Sequence, residues 1–562
     1  MRLLLSAAYS VIEPLGLLHL AGLARDLNWE TKFSLIEKYN YSRLYEDIKD
    51  FKPNVIGFNI YTGNHIQTFN FIQKIKQDFP GILIVVGGPH PTYFPIESNK
   101  YADFVVMSEG FHVFKKILLG EVQKGIYPLF KVENFPLPDR EQLYKDYPEY
   151  GRSKIKSIIG MTGCPYRCTY CYNSSSPKDI KVTPELAEQI SKALGMSGRL
   201  FPYNVRSVKD IIIEAENLRK NWDTDVIYFQ DDVHGFDIKE WLPELAKEWK
   251  EKVKIPYHAQ MRWEMTHGES GKKRLDIIKS AGCFGLTLAI ESAIPEVRKE
   301  VLDRATDDSV MFQGMKEVVS RGLKVRTEQI TALPYGATTE KTIINLDADL
   351  SLIELNVKLK KETGGPDMAW ASTFAPYAGT KLGIYCQDFG FYNNLDNYDV
   401  PDTFFDKSIL KFLKEWVGTE LVSKKENNSL WLDEQQLEKY RTQNAALRRY
   451  FNMFCLVPNG HILAKEFLTN NFDYSPSSLN KHIYDHSINN DDCKFIVTGV
   501  RDLSDNIHNT ENLYYYFSCI PKKELLIDRY NKYMNQKNTS EVLALSTATR
   551  HHLYDEVLYS KG

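Results

Sequence analysis

The sequence lacks two features that would assign it to a membrane or to nucleic acid. No apolar run approaches the roughly 18 or more residues that a membrane span needs, and no basic stripe with interleaved aromatic residues marks a nucleic-acid surface. Lys and Arg number 70 against 73 Asp and Glu, which gives a net charge of −3, and the two signs are mixed along the whole chain. We therefore expect a soluble protein with no membrane span and no nucleic-acid partner.

The sequence also lacks the paired cysteines of a disulfide framework. A secretory signal is not expected either, because Glu13 and Pro14 interrupt the apolar N-terminus and favour a strand followed by a helix. Five of the eight cysteines are scattered and odd in number, a pattern that fits a reducing cytoplasm. These five are Cys283, Cys386, Cys455, Cys493 and Cys519.

The other three cysteines fall within eight residues, and no fourth stands near them. Cys164, Cys168 and Cys171 have the order C-x3-C-x2-C. Thiolates bind soft metals and iron-sulfur clusters, so a cluster held by three of them would leave one iron free for another ligand. The alternative is a structural zinc site, but such sites use four protein ligands in paired spacings, and the next donors, His234 and His258, lie far along the chain.

Residues 1–130 alternate strand and helix patterns, which favours an α/β fold with a doubly wound parallel sheet. Strands are predicted at 3–8, 31–36, 55–60, 82–88 and 104–107, and helices at 14–26, 41–51, 65–79 and 110–119. Ligands of such sheets bind beyond the carboxyl ends of the strands. We therefore expect a binding site in the loops 8–14, 61–64, 87–92 and 108–110.

Residues 131–154 form a predicted linker, since two prolines in 135–140 favour an extended path. The alternation resumes over residues 155–385, with strands predicted at 155–160, 226–229, 256–261, 285–290, 324–330 and 368–374. Six strand-helix units predict a partial (β/α)6 barrel whose reactive face lies at the carboxyl ends of the strands. Residues 386–562 predict a mostly helical C-terminal domain, with helices at 406–417 and 432–455 and an aromatic run at 514–517 that lines a pocket or packs in a core.

These motifs resemble those of the cobalamin-dependent radical SAM enzymes over residues 1–385. The segment 159–172 closely resembles the signature of the radical SAM superfamily, and the Leu-Pro-Asp sequence that ends at Asp139 resembles the linker of the same family. Pro14-Leu-Gly-Leu-Leu-His-Leu-Ala, Gly87-Gly-Pro-His-Pro-Thr92 and Ser108-Glu-Gly110 resemble its cobalamin-binding domain. The cobalt-ligating motif Asp-x-His-x-x-Gly is absent, which implies a lower face of cobalt without a histidine. Ala332, Tyr335 and Ala378 depart from the glycine and proline turns of the family.

The resemblance assigns roles to residues at the ends of the predicted strands. It implies a 4Fe-4S cluster on Cys164, Cys168 and Cys171. It implies contacts to S-adenosylmethionine from Tyr170, which packs on adenine, and from Gln230, Asp232, Arg262, Glu291 and Ser292. It implies contacts to cobalamin from Gly87, Gly88, Pro89, His90, Glu109 and Gly110, with Tyr61, Thr62, Gly63 and Asn64 facing cobalt. For Asp231 or Asp232 taken alone, a surface salt bridge is the favoured interpretation.

The implied activity is methylation of an unactivated carbon through methylcobalamin and a 5′-deoxyadenosyl radical. The implied substrate is a small molecule or natural product, and the implied reductant is a low-potential donor such as flavodoxin or ferredoxin. Two alternatives remain. One is a cyclase or rearrangement enzyme that uses the same cofactors without methyl transfer, and the other is a cobalamin-binding sensor or carrier with a structural metal site.

Overall fold

A six-stranded parallel sheet forms the N-terminal part of the chain. The computed structural model describes residues 1–482 except 11, 38, 129–134, 195–197, 335–342, 394–406, 416–427, 457–458, 472, 475–477 and 480–481. The strands are β1 Arg2–Ser6, β2 Glu30–Phe33, β3 Val55–Asn59, β4 Leu83–Gly87, β5 Phe104–Val106 and β6 Gly125–Tyr127. Their order is β2-β1-β3-β4-β5-β6. The predicted doubly wound sheet is confirmed. The short β6 was not predicted, because three half-buried residues carry no periodic signal.

Helices cover both faces of this sheet. Successive side chains of a strand point to opposite faces, so Leu3 and Leu5 of β1 join one buried cluster while Leu4 joins the other. Both faces of β1 are therefore apolar, as expected of a parallel sheet. The helices are Leu15–Asp26, Ser42–Phe51, His65–Asp78, Pro89–Tyr93, Pro95–Ser98 and Phe111–Leu119.

A second sheet of six parallel strands forms the predicted partial barrel. The six strands are β7 Ile155–Ile158, β10 Val226–Phe229, β11 Tyr257–Met261, β12 Cys283–Glu291, β13 Lys324–Thr331 and β14 Met368–Thr373. Their order in the sheet is β14-β13-β12-β11-β10-β7. The short strands β8 Met161–Thr162 and β9 Asn204–Val205 pair with each other outside this sheet. The helices that cover them are Val208–Asn221, Trp241–Glu248, Gly268–Ser280, Asp308–Ser320 and Asn345–Thr363.

The described C-terminal helices pack directly on the barrel. Leu447, Phe454 and Phe467 belong to the same hydrophobic cluster as the barrel strands. Residues 483–562, including Cys493, Cys519 and the predicted aromatic run, lie outside the described residues. Among the described residues, no helix combines the length and apolar character that crossing a bilayer requires. The helices are Glu434–Arg449, Phe451–Leu456 and Gly460–Asn470.

The predicted helix at 406–417 is wrong over its described residues, 407–415. This segment is extended, and Leu413 pairs with Trp431 in an antiparallel bridge. Ser408, Leu410 and Phe412 are buried, which is the two-residue period of a strand and not the 3.6-residue period of a helix. The hydrophobic content of the segment was read correctly and its period was not.

A buried network of charges joins the two sheets. Arg140 Nη1 lies 2.6 Å from Oε1 of Glu13, which precedes the first helix. Arg140 Nη2 lies 2.5 Å from Oε1 of Glu214 in the barrel helix Val208–Asn221. Arg206 Nη1 is 2.7 Å from the other carboxylate oxygen of Glu214. Burial alone would raise the pKa of Glu214, but Arg206 and Arg140 outweigh it and hold that pKa at about 2.

Candidate active site

The cysteine loop begins at a fixed point at the end of β7. Oδ1 of Asp231 accepts hydrogen bonds from the backbone N–H groups of Gly160 at 2.6 Å and Met161 at 3.0 Å, and its Oδ2 lies 2.7 Å from Nδ1 of His234. Asp231 is fully buried. The interpretation of Asp231 as a surface salt bridge is therefore wrong, because its carboxylate caps the amide groups where the loop leaves the sheet.

The backbone of the loop is held by side chains that the sequence did not single out. Arg199 donates to the carbonyl oxygens of Cys164, of Pro165 at 2.8 Å and of Tyr166 at 3.0 Å. The Ser174 hydroxyl lies 2.7 Å from the carbonyl oxygen of Cys168. These contacts satisfy the backbone polar groups and leave the three sulfur atoms for other ligands.

The spacing of the three thiols favours a cluster over a single metal ion. Three thiolates on one zinc ion would have sulfur atoms about 3.8 Å apart, given Zn–S bonds of about 2.3 Å in a tetrahedron. Among the described His, Cys, Asp and Glu side chains, the group of three whose ligand atoms all lie within 4.8 Å of one another is His65, His90 and Glu97. The three cysteine sulfur atoms are therefore not all within 4.8 Å of one another, and three soft thiolates in this arrangement suit an iron-sulfur cluster. The residues fit the cluster that the sequence implies.

Two arginines approach the sulfur of Cys168. Nη1 of Arg262 donates to this sulfur at 3.3 Å, and Nη1 of Arg304 lies 4.0 Å from it. Arg262 also makes two hydrogen bonds to Glu264, at 2.9 and 3.1 Å, and its guanidinium lies 3.9 Å from the centre of the Tyr166 ring. Arg262, the predicted contact of S-adenosylmethionine, is thus already paired with the carboxylate of Glu264.

Tyr170 and Glu291, both predicted site residues, are hydrogen-bonded to each other. The Tyr170 hydroxyl lies 2.5 Å from Oε1 of Glu291, and Nη1 of Arg304 is 3.4 Å from the same oxygen. Burial raises the pKa of Glu291 and Arg304 opposes the shift. Glu291 has a φ of 66°, and the register of β12 against β13 shifts between Ala289 and Glu291. This irregularity turns the carboxylate toward the cysteine loop.

The other predicted S-adenosylmethionine contacts divide into one accessible group and two internal ones. The Asp232 side chain reaches solvent, but desolvation by the neighbouring protein atoms raises its pKa to about 6. Burial raises the pKa of the Cys164 and Cys171 thiols, and the negative charge of Asp232 adds to that increase. Gln230 donates to the Ser157 hydroxyl at 3.2 Å. Ser292 is buried, and its hydroxyl accepts the N–H of Ile294 at 3.2 Å. Asp232 therefore lies beside the cysteines, while Gln230 and Ser292 are engaged within the protein.

A cavity of about 200 Å³ lies at the carboxyl ends of the N-terminal strands. Its lining includes predicted cobalamin contacts at Gly87, Gly88, Glu109 and Gly110. The atoms Ser108 Oγ, Glu109 Oε1 and Thr162 Oγ1 are buried and have no hydrogen-bond partner among the described residues. The amide groups on one part of a large ligand such as cobalamin would satisfy them, so the polar atoms of the lining suit that part of the cofactor. The remaining lining residues are Gly16, Leu17, His19, Leu20, Gly57, Phe58, Asn59, Val85, Val106, Phe111, Phe114, Phe135 and Ile159.

The other predicted cobalamin contacts do not line this cavity. They are Tyr61, Thr62, Gly63, Asn64, Pro89 and His90. His90 is fully buried, with Nδ1 at 3.0 Å from the Thr62 hydroxyl. Pro89 starts the short helix Pro89–Tyr93 after Gly88, whose φ of 96° and close approach to Asn59 require a glycine. The helix carries His90 into the protein. Tyr61 is 49% exposed, so the segment 61–64 reaches the surface beside the cavity.

Glu109 is expected to make stability fall as the pH rises. Burial raises its pKa from 4.5 to about 7. Below pH 4.5 Glu109 is protonated in both the folded and the unfolded chain, and above about pH 7 it is ionised in both. Between these pH values only the unfolded chain loses the proton, so the free energy of unfolding falls as the pH rises. In urea titrations of the cofactor-free protein, Glu109→Gln should gain up to about 3 kcal/mol over the parent across this interval, at about 1.4 kcal/mol per pKa unit.

The exposed Glu121 on the same sheet domain gives the matched variant, Glu121→Gln. It should follow the parent across the same pH series. An equal gain in both variants would show that the effect does not come from the cavity.

Comparisons with known proteins match one family model to the N-terminal sheet and another to most of the barrel. The model described as B12 binding domain matches residues 1–118, and the model described as Radical SAM superfamily matches residues 158–344. An uncharacterized methyltransferase of Pyrococcus horikoshii is 24% identical over 398 residues, which cover 66% of this chain and 78% of that protein. The cytidylyl-2-hydroxyethylphosphonate methyltransferase of Streptomyces wedmorensis is 24% identical over 329 residues, which cover 51% of this chain and 59% of that protein.

Among solved structures, the radical S-adenosylmethionine methyltransferase TsrM from Kitasatospora setae, with cobalamin and a [4Fe-4S] cluster bound, has a similar fold. The TM-score is 0.52 at 14% identity, over 86% of this chain and 95% of that one. At this identity the likeness concerns the fold alone.

Proposed function

Because this chain belongs to the cobalamin-dependent radical SAM enzymes, we propose that it transfers a methyl group from S-adenosylmethionine to an unactivated carbon of a small molecule. The observation that carries the proposal is that one segment serves both sites. Ile159 and Thr162 line the cavity that fits cobalamin, and Cys164, the first cluster ligand, follows Thr162 by two residues. Both curated relatives are named methyltransferases, which supports methyl transfer as the use of this juxtaposition.

The residues around the cysteine loop would hold and orient the reacting groups. When bound, the cluster supplies the electron that cleaves S-adenosylmethionine, and cobalamin supplies the methyl group. Cys164, Cys168 and Cys171 would hold three irons and leave the fourth for S-adenosylmethionine. Asp232 suits its ammonium group, because an accessible carboxylate there faces the cysteines. Tyr170 would present its ring to the adenine while Glu291 fixes its hydroxyl.

The cavity residues would hold the second cofactor. Ser108 and Thr162 offer hydroxyl groups, and Glu109 offers a carboxyl oxygen, to the amide groups of the corrin side chains. Segment 61–64, with Tyr61 exposed beside the cavity, remains the proposed neighbour of the lower face of cobalt. The enclosing protein would exclude water that quenches radicals.

The proposed cluster also indicates the electron donor and the cellular compartment of the reaction. A low-potential donor of the flavodoxin or ferredoxin class is the proposed reductant. The six cysteines in the described part of the chain are all free thiols, which supports a reducing compartment, and we propose the cytoplasm.

The test is anaerobic reconstitution with iron, sulfide and cobalamin, followed by assay with S-adenosylmethionine that carries a trideuterated methyl group. We expect S-adenosylhomocysteine and 5′-deoxyadenosine together, and transfer of the label to a small molecule of the cell extract. The assay without cobalamin is the control and should yield no S-adenosylhomocysteine. Deoxyadenosine without S-adenosylhomocysteine and without label transfer would contradict methylation and favour a cyclase or rearrangement enzyme. The absence of both S-adenosylhomocysteine and 5′-deoxyadenosine would contradict methylation and the cyclase or rearrangement alternative alike.

A further inference from the structure

Two buried arginines point to one of the three cluster ligands. Nη1 of Arg262 lies 3.3 Å from Sγ of Cys168, and Nη1 of Arg304 lies 4.0 Å from it. All three residues are less than a tenth exposed. Electrostatic interactions are stronger in such a site than at the surface, because little water is present to screen them. The sulfur of Cys168 therefore lies beside two guanidinium groups, each of which directs an N–H donor toward it.

We propose that Arg304, together with Arg262, raises the reduction potential of the cluster bound through Cys168. Reduction adds one negative charge to the cluster, and a cation with N–H donors at a ligand sulfur stabilises the reduced form more than the oxidised form. A less negative potential widens the range of reductants that can deliver the electron. The inference rests on the cluster assignment in the proposed function and adds to it what sets the cluster's potential.

Arg304 is placed to respond to charge at the sulfur. Its Nη2 is anchored on the carbonyl oxygen of Ala289 at 2.9 Å. Its Nη1 lies 3.4 Å from Oε1 of Glu291 and 3.5 Å from the Tyr170 hydroxyl, and both distances are longer than those of good hydrogen bonds. Its Nε has no hydrogen-bond partner among the described residues. The donor group is therefore shared among several acceptors, and a more negative thiolate would draw it closer.

Arg262 differs in being committed to a second partner. Its two hydrogen bonds to Glu264 fix the guanidinium, and Glu264 is in turn held by the Thr306 hydroxyl at 2.5 Å. Arg262 is also a predicted contact of S-adenosylmethionine, so its replacement would change two properties at once. Arg304 is the cleaner residue to test.

The experiment measures the midpoint potential of the reconstituted full-length protein by EPR-monitored titration without S-adenosylmethionine. Iron and sulfide contents are determined first. We expect Arg304→Met to keep its cluster and to shift the potential to a more negative value. Arg304→Gln, which retains N–H donors but not the charge, should shift it less.

The matched control is Arg274→Met. Arg274 is also a buried arginine of the barrel, but its guanidinium binds the backbone carbonyl oxygens of Gly235, Met265 and Phe236, so its loss should leave the potential near the parental value. An unchanged potential in Arg304→Met, or an equal shift in Arg274→Met, would overturn the proposal. If Arg304→Met loses its iron, the midpoint potential of Arg304→Gln is the deciding measurement, and a parental value in that variant would overturn the proposal. A parent protein that binds no cluster would instead contradict the proposed function.

Discussion

Alanine in place of Cys168 is expected to leave a folded protein that neither retains a 4Fe-4S cluster nor forms 5′-deoxyadenosine. The proposed cluster would have three protein ligands, and losing one would leave an iron with no protein bond beside the open position. Deoxyadenosine formation should fall by about 1,000-fold or more, which is about 4 kcal/mol in activation free energy. The measurements are the iron and sulfide contents after anaerobic reconstitution and the rate of deoxyadenosine formation by chromatography.

A buried cysteine outside the loop provides the control for this result. Cys283 lies in β12 and is 2% exposed, and Cys283→Ala should keep the cluster and most of the activity. Retained cleavage in Cys168→Ala would contradict the cluster assignment. Stoichiometric zinc in place of iron after anaerobic reconstitution of the parent would favour the structural metal site.

Arg140→Met is expected to cause the largest loss of stability. Arg140 is 4% exposed and is paired with Glu13 and Glu214, both also buried. Methionine replaces only the unbranched stem of the arginine and leaves two carboxylates in the interior with fewer partners. Breaking a buried ion pair in this way costs about 3 to 5 kcal/mol. The free energy of unfolding from urea titration at neutral pH is the measurement.

The pH dependence of the loss distinguishes this cause from a packing defect. With Arg140 removed, burial acts on the Glu214 carboxyl group with less opposition, so the variant can recover stability by protonating it as the pH falls. The deficit should therefore shrink toward pH 5, whereas a packing defect would not depend on pH. Arg25→Met, which removes an arginine from an exposed pair with Asp26, should change stability by less than about 1 kcal/mol. A similar small loss in Arg140→Met would refute the role of the network.

The sequence was informative wherever a residue type and a short spacing carried the signal. The C-x3-C-x2-C spacing led to the cysteine loop, the apolar strand runs led to both sheets, and the acidic residue that ends an apolar run led to Glu291 at the end of β12. Residues recruited through tertiary structure left no such trace. Arg304 lies 13 residues beyond the end of β12, and Arg199 lies between the cysteines and β9. Nothing in their local pattern separates them from solvated arginines.

His90 shows that a loop motif does not fix the direction of each of its side chains. It stands in a glycine-rich loop after a strand, which is where a ligand contact is expected, but the prolines on both sides of it favour a helical turn. The structure forms that turn as Pro89–Tyr93 and stacks the ring on His65 at 4.0 Å. Only the course of the backbone, which sequence position cannot supply, distinguishes a side chain at the cavity from one beneath it.

The cavity is lined both by the N-terminal sheet domain and by the segment that follows β7, which has a consequence for biosynthesis. Most of the lining comes from residues 16–114, which leave the ribosome early, but Ile159 and Thr162 emerge later. They are placed by β7, and β7 pairs with β10, whose residues end at Phe229. A nascent chain that has folded its first sheet therefore presents an open cleft. Enclosure of a cofactor there must wait until roughly 100 further residues, from Tyr127 at the end of β6 to Phe229 at the end of β10, have been translated and the barrel has begun to form.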